Sequence, residues 1–188
     1  MADFAGKNVL VLGGSRGIGA AIGDGALDVI VISAGALAMG DPLILDPDAV
    51  DHLIDVNVRA PYHAAVEAAR RMPEGGRIIV IGSVGGDRVA IAGAAAYALS
   101  KSAMQGMVRG LARDFGARGI TVNAIQPGPT DTDMNPASGA LAAATQSFMA
   151  IKRHIRPSEI ADYVAFIAGP QAAMITGSLQ TIDGGFSA

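Results

Sequence analysis

The chain has 188 residues, of which 51% are hydrophobic and 16% are charged, and its formal net charge is −3. These values exclude an intrinsically disordered chain, and the slight excess of acidic residues argues against a surface for nucleic acid or anionic membranes. The chain has no cysteine, which excludes disulfides and thiol chemistry, and we see neither a signal peptide nor a membrane-length apolar run, so we expect a cytoplasmic protein.

Short β-branched runs alternate with helical segments along the chain. Strands are predicted at residues 8–12, 28–33, 77–81, 120–126 and 179–182, and their near-continuous apolar character is typical of a parallel sheet covered on both faces. Helices are predicted within residues 47–72, with a break around 57–60, and at 95–115 and 157–168. Residues 136–149 are interpreted as a mobile lid. This order predicts one domain, residues 1–188, with a Rossmann-like, doubly wound α/β sheet.

A glycine-rich turn, GGSRGIG at residues 13–19, follows the first strand and precedes a predicted helix. Backbone N–H groups and the helix dipole favour a phosphate at such a turn. Gly13 and Gly17 let the backbone approach a pyrophosphate, and Gly19 lets helix and strand pack closely. The same pattern also occurs in purely structural turns, so it has to be interpreted together with the motifs that follow.

Tyr97 and Lys101 are four residues apart near the start of a predicted helix, which places them on one face. A lysine ammonium at about 4 Å from the phenol would lower its pKa from about 10 toward about 7, which suits a general acid or base. The alternative is a packed ring beside a solvated amine.

Two further polar segments follow predicted strands. Ser83 comes just after the strand at 77–81, and QPGPTDT, residues 126–132, follows the strand at 120–126. Ligands of open α/β sheets bind outside the carboxyl ends of the strands, so both segments are predicted to face a ligand. A serine there can stabilise a developing oxyanion, although both segments can also be ordinary turns.

The glycine loop, Asn57, Ser83, Tyr97-x-x-x-Lys101 and Pro127-Gly128-x-x-x-Thr132 occur in an order that resembles the short-chain dehydrogenase/reductase family. The resemblance implies that Tyr97 is the proton donor, that Lys101 lowers its pKa and holds the nicotinamide ribose, that Ser83 orients the substrate oxygen, and that Asn57 supports a proton relay. The runs APYHA, MPEGGRI, IGSVGGDR, GLARDFG, QPGPTDTD and MAIKRH resemble a cyclic-di-GMP-binding member, and the chain is also similar to 3-oxoacyl-acyl-carrier-protein reductases.

The same resemblance implies a set of cofactor-binding residues. They are Gly13, Ser15, Arg16, Gly17, Ile18, Gly19, Ala34, Gly35, Tyr97, Lys101, Pro127, Gly128, Thr130 and Thr132. An NAD-preferring site usually carries an acidic residue at the end of the second strand, and none can be assigned here, whereas Arg16 could pair with a 2′-phosphate, which favours NADP(H). NAD remains possible because the end of the second strand is absent.

We therefore predict an NADP(H)-dependent oxidoreductase that transfers hydride between nicotinamide and a carbonyl or alcohol substrate. Two alternatives stay open: a nucleotide sensor on the same scaffold that binds cyclic di-GMP with little turnover, and a non-catalytic subunit that binds no cofactor. The small residues Gly106 and Gly110 permit close approach of another helix, and the resemblance implies that this helix forms subunit contacts in a homodimer or homotetramer. Packing within one subunit is the alternative. His52 and His63 are predicted on helix surfaces and Asp131 in a polar turn, and no metal site is expected.

The segment between Val9 and Ile32 is unusually short. A βαβ unit needs about 30 residues or more, and a dinucleotide-binding fold places two further strands before the one that ends in Ser33-Ala34-Gly35. We predict that the second and third strands of such a fold are missing near residues 22–23. Residues absent from the sequence and a true deletion both fit this pattern.

Overall fold

The structure, a computed structural model, describes residues 6–13, 27–140 and 142–188. The strands are β1 (Val9–Leu12), β2 (Val29–Ile32), β3 (Arg77–Ile81), β4 (Thr121–Pro127) and β5 (Leu179–Ile182). The helices are α1 (Pro47–Ile54), α2 (Ala60–Arg71), α3 (Ala95–Phe115), α4 (Ala142–Ser147) and α5 (Pro157–Ala168), and 3₁₀ turns occur at Val84–Gly86, Gly116–Arg118 and Pro170–Ala172. The five predicted strands are confirmed with ends that differ by at most one residue. In this part of the chain, no helix is long and apolar enough to cross a membrane.

The five strands form one parallel sheet in the order β1-β2-β3-β4-β5. Apolar side chains of α2 and α3 pack on one face, against Ile30, Ile78 and Val122 among others. The other face packs through Val29 and Ile79 against α5. Helices on both faces define the doubly wound architecture that the alternating pattern predicted.

β1 is one of the two edge strands of this sheet in the part of the chain that the structure describes, and β5 is the other. Val9 and Val11 are 45% and 42% exposed, whereas all four residues of β2 are buried. β1 therefore pairs on one side only, with β2. Residues 22–23, where two strands were predicted to be missing, lie outside the described residues.

The predicted break between α1 and α2 is a π-helical turn, Asp55–Arg59. The turn joins the two helices directly, so the chain stays helical from α1 to α2. Single π-turns within α-helices occur frequently at functional sites. Asn57 lies in this turn and is completely buried. The predicted lid at residues 136–149 contains α4, and its proposed mobility stays a prediction.

Candidate active site

The carboxyl ends of the central strands lie on the same side of the sheet: Ile32 pairs with Val80 and Val80 pairs with Ala124, and β4 continues three residues farther, to Pro127. The segments that follow β2, β3 and β4 therefore meet at one edge of the sheet. The sequence predicted this edge as the ligand side, and the structure brings Ser83 and the turn after β4 to it.

Two cavities meet at Tyr97. The larger one, called the large cleft, has a volume of about 770 Å³ and is lined by Gly13, Gly35, Lys101, Pro157 and Val164 among others. The second one, called the small cavity, has a volume of about 350 Å³ and is lined by Ser83, Ile91, Ala94 and Phe186 among others. Tyr97, Pro127, Thr130, Thr132 and Met134 line both cavities. Tyr97 thus stands at the junction, with Ser83 on one side and Lys101 on the other.

Ser83 is the residue that precedes the 3₁₀ turn Val84–Gly86, and its hydroxyl accepts a hydrogen bond from the Gly85 N–H at 3.0 Å. A Cβ atom on Gly85 would lie 3.1 Å from Cε1 of Tyr97, so the absence of a side chain lets the ring approach the turn. Ser83 also forms a hydrogen bond with Tyr97 that lowers the pKa of the phenol. The two hydroxyls are therefore placed side by side at the mouth of the small cavity.

The predicted lowering of the Tyr97 pKa toward neutrality is wrong for this structure. Burial raises the pKa of Tyr97, and this effect exceeds the opposite effect of Ser83. The Lys101 ammonium lies 5.8 Å from the centroid of the Tyr97 ring, and it is not among the causes of the Tyr97 pKa shift. Burial also lowers the pKa of Lys101 to about 8. Desolvation therefore sets the direction of both pKa shifts. The spacing of the motif cannot reveal it, because spacing does not show how deeply the two side chains are buried.

Asn57 links the loop after β2 to helix α3. Its Oδ1 accepts a hydrogen bond from the Ala36 N–H at 2.8 Å, and its Nδ2 donates to the Ala36 carbonyl at 3.0 Å. The same Nδ2 donates to the Ser100 hydroxyl at 2.9 Å, and Ser100 donates to the Tyr97 carbonyl at 2.8 Å. Asn57 and Ser100 are both fully buried. The structure therefore brings all four predicted catalytic residues into one connected region.

The predicted cofactor residues divide into three groups. Gly13, Gly35, Tyr97, Lys101, Pro127, Thr130 and Thr132 line the large cleft. Ala34 and Gly128 are not among the residues that line it: the Ala34 nitrogen lies 2.2 Å from the position of a Cβ on Gly13, and Gly128 lines the small cavity and packs on Asp183. Ser15, Arg16, Gly17, Ile18 and Gly19 lie outside the described residues.

Gly13 has φ +91°, a left-handed conformation that favours glycine. With the Ala34 backbone so close, any side chain at this position would displace the loop after β2. The structure thus gives a packing reason for the first glycine of the loop, independent of any ligand.

The remaining predictions concern polar residues away from the cavities. His52 and His63 are exposed on α1 and α2, and Asp131 accepts the Ala137 N–H at 2.7 Å in a turn, as predicted. His154 is buried, with Nδ1 at 3.1 Å from Gln146 Nε2. Among the described residues, no group of three or more potential ligands could hold a metal ion.

Ser100 was not predicted as a site residue, and Gln126, although it begins the segment 126–132 that was predicted to face a ligand, was given no role of its own. Gln126 is buried, and its Nε2 donates to Asp87 at 2.7 Å and to the Ser83 carbonyl at 3.4 Å. Ser100 lies inside the Tyr97–Lys101 motif, so its helical position could have suggested an internal contact. No periodic signal marks Gln126, because its partners lie on a different strand end.

The doubly wound sheet and a tyrosine, lysine, serine and asparagine set at its carboxyl edge define the dinucleotide-binding class of α/β oxidoreductases. A family model described as "Enoyl-(Acyl carrier protein) reductase" matches residues 18–187. The chain is also 49% identical, over 237 aligned positions that cover both proteins completely, to the cyclic-di-GMP-binding biofilm dispersal mediator protein of Escherichia coli (strain K12). The chain belongs to the short-chain dehydrogenase/reductase family, as the resemblance predicted.

Two examples illustrate the solved structures that share this fold. One is a crystal structure of BdcA in complex with NADPH, with 60% identity and a TM-score of 0.85, covering 86% of this chain and 66% of that one. The other is a short chain dehydrogenase from Burkholderia cenocepacia J2315 in complex with NADP, with 48% identity, a TM-score of 0.85 and coverage of 87% and 66%. The chain thus spans about two thirds of the length of these structures.

The alignment with the Escherichia coli protein shows a difference in length. It has 237 positions and contains all 188 residues of this chain, so 49 positions have no counterpart here. This number is large enough to accommodate the two strands and connecting helices that the sequence predicted to be missing.

Proposed function

We propose that this protein is an NADP(H)-dependent oxidoreductase that transfers hydride between nicotinamide and a carbonyl or alcohol substrate. The observation that carries the proposal is the position of Tyr97 between two cavities, with Ser83 in the small cavity and Lys101 in the large cleft. A hydride donor in one cavity and an acceptor in the other would meet beside the Tyr97 hydroxyl.

The residues of the large cleft fit a nicotinamide nucleotide. The Lys101 side chain is buried, yet its ammonium makes no hydrogen bond to any described residue and lines the cleft. A buried ammonium without an acceptor is costly, and ribose hydroxyls would supply acceptors. Gly35 lies opposite, and a Cβ there would stand 3.5 Å from Lys101 Nζ, so glycine keeps this approach open. The two related structures are complexes with NADPH and with NADP, which supports NADP(H) as the cofactor.

Each polar side chain of the site has its own role in the proposed carbonyl reduction. A bound reduced nicotinamide supplies the hydride. In our proposal Ser83 donates a hydrogen bond to the carbonyl oxygen, and the Oη–H bond of Tyr97 breaks as its proton passes to that oxygen. Lys101, in its charged form, stabilises the phenolate that remains and holds the ribose. Asn57 and Ser100 position the start of α3 and hence Tyr97.

The protonation state of Tyr97 favours reduction over alcohol oxidation. Since burial raises the pKa of Tyr97, the phenol stays protonated at neutral pH and is ready to donate. Alcohol oxidation would need the phenolate as a base. We therefore expect the faster direction near neutrality to be the reduction of a carbonyl.

The test is oxidation of NADPH in the presence of a panel of ketones and aldehydes, followed by the loss of the reduced-nicotinamide absorbance. The Tyr97→Phe variant keeps the ring and removes the proton, so we expect a loss of at least about 100-fold in kcat. Equal rates for the variant and the unaltered protein would refute the role of Tyr97. NADH measured beside NADPH gives the cofactor preference.

Cyclic di-GMP sensing is a second candidate function, supported by the name of the 49% identical relative. It predicts that titration calorimetry detects binding of cyclic di-GMP, and that Tyr97→Phe leaves this binding unchanged. A sensor without turnover would show binding and no NADPH oxidation with any carbonyl.

We also propose that the protein assembles as a homodimer or homotetramer through α3. Gly106 and Gly110 are exposed, and no described atom lies within 4 Å of a Cβ built on either residue. This surface is therefore free within the chain to contact a helix of another copy. Light scattering of the protein and of a Gly106→Glu variant would test the assembly, since a charge here should shift the mass to the monomer.

A further inference from the structure

The small cavity is lined mainly by apolar side chains. They are Met39, Val84, Val89, Ala90, Ile91, Ala94, Met134 and Phe186. Among the described residues that line it, none is acidic and Arg88 is the single charged one. Its uncharged polar side chains are Ser83, Tyr97, Thr130, Thr132 and Asn135, and three of them, Tyr97, Thr130 and Thr132, also line the large cleft. A cavity of this kind holds a ligand with one polar end and an apolar remainder.

The rim of the small cavity exposes large apolar side chains to solvent. Ile91 is 56% exposed, Val89 56%, Met134 58% and Met39 39%. These four residues come from three separate segments of the chain and form one apolar patch around the opening. Exposure of such a patch to water is unfavourable. Burial of these surfaces by a ligand would stabilise the complex in proportion to the apolar area covered.

This rim is built from loops that the structure fixes. The N–H of Gly40 donates to the Gly93 carbonyl at 2.9 Å, which joins the loop that carries Met39 to the loop that carries Ile91. Gly93 has φ +81°, and a Cβ there would lie 3.3 Å from the Gly40 oxygen, so glycine allows the two loops to meet. The two walls therefore keep a defined spacing.

Arg88 holds the opposite wall in place. Its Nη1 donates to the Phe186 carbonyl at 2.9 Å, and the Phe186 ring packs edge-on against Phe148 with centroids 6.3 Å apart. Through Nη1, the Arg88 guanidinium is thus bound to the backbone of the segment that carries Phe186. Its observed contacts are structural, and they do not by themselves provide a site for an anionic substrate.

The geometry points to a specific substrate class: an uncharged ketone or aldehyde whose carbonyl reaches Ser83 and Tyr97 and whose apolar chain lies along Met39, Ile91 and Phe186. This inference rests on the proposed reductase function and deepens it. It excludes sugars and keto acids as preferred substrates, because their hydroxyls or carboxylate would lose water against an apolar wall.

The experiment compares methyl ketones from butan-2-one to octan-2-one as substrates with NADPH. Each methylene that enters the small cavity should raise kcat/KM about fourfold until the cavity is filled. The matched charged compound is 5-oxohexanoate, which carries a carboxylate at the end of a chain of similar length. We expect at least about tenfold lower kcat/KM for it than for heptan-2-one.

Two variants test whether the rim of the small cavity, and not the rest of the surface, causes the gain in kcat/KM per methylene. Ile91→Ser changes a rim residue and should reduce the gain per methylene to about twofold or less. Leu43→Ser alters a residue that is 89% exposed and outside both cavities, and it should leave the series unchanged. Equal slopes for the two variants, a flat series, or a preference for 5-oxohexanoate would each overturn the inference.

Titration calorimetry with hexan-2-one and octan-2-one measures binding without turnover. If no ketone is reduced but octan-2-one binds more tightly than hexan-2-one, the reductase proposal fails and the apolar ligand class stands. If NADPH is oxidised with other carbonyls while the ketones neither bind nor react, the reductase proposal stands and the substrate class is wrong.

Discussion

The Nδ2 of Asn57 donates a hydrogen bond to the hydroxyl of Ser100 at 2.9 Å, although 43 residues separate them in the chain. The Ser100 hydroxyl in turn donates a hydrogen bond to the Tyr97 carbonyl. Asn57 also forms hydrogen bonds with both the N–H and the carbonyl of Ala36. One buried chain of hydrogen bonds therefore connects the loop after β2, the π-turn and the helix that carries Tyr97. Such networks are rigid when every member is satisfied and costly when one is removed.

Ser100→Ala should break this chain at its centre. Asn57 would keep its bonds to Ala36 and lose a buried acceptor, which costs about 1–3 kcal/mol of unfolding free energy. We also expect kcat to fall, because the start of α3 loses its tie to the π-turn. Chemical denaturation and NADPH oxidation measure the two effects. Ser158→Ala, at an exposed helix position, is the control and should change stability by less than about 0.5 kcal/mol. A similar result for both serines would contradict the proposed network.

Lys101→Met should stabilise the protein while abolishing activity. Lys101 is 6% exposed, and burial lowers its pKa from 10.5 to about 8. Below pH 8 the buried charge therefore destabilises the folded state by on the order of 3 kcal/mol at most. This penalty decreases as the pH rises from 8 to 10.5, because the unfolded chain then binds more protons than the folded chain. Thermal unfolding at pH 7 should show a higher Tm for the variant. If stability of the unaltered protein is flat between pH 8 and 10 relative to the variant, the lysine is not buried as described.

Carbonyl reduction should decline as the pH rises through about 8. Lys101 loses its proton there, and a neutral amine no longer stabilises the Tyr97 phenolate that forms on proton transfer. A pH profile of kcat/KM with NADPH measures this limb. Lys101→Arg keeps a charge throughout the range, so its activity, even if lower overall, should lack the decline. Identical alkaline limbs in both proteins would assign the decline to another group.

The sequence predicted the strands and, because segments that follow parallel strands meet at one edge of the sheet, the position of Ser83. The grouping of Ser83 with Asn57, Tyr97 and Lys101 was implied by the family resemblance. The sequence did not predict the direction of the Tyr97 pKa shift, since that depends on how much of the ring the rest of the chain covers. It also did not identify the small cavity, whose walls come from segments far apart in sequence with no shared periodicity. The prediction for residues 14–19 concerns a part of the chain that the structure does not describe.

Gln126→Leu should lower kcat by about tenfold with a smaller change in KM. The Gln126 amide donates a hydrogen bond to Asp87 at 2.7 Å and another to the Ser83 carbonyl at 3.4 Å. The second hydrogen bond links the backbone of Ser83 to strand β4. Leucine has a similar volume but no donor, and the turn that presents the Ser83 hydroxyl would lose this support. Gln105→Leu is the matched control, because Gln105 also donates to Asp87, at 2.6 Å, without any contact to Ser83. Steady-state kinetics of both variants, with denaturation curves to correct for stability, would check the assignment, and equal losses in kcat would show that Asp87 rather than Ser83 transmits the effect.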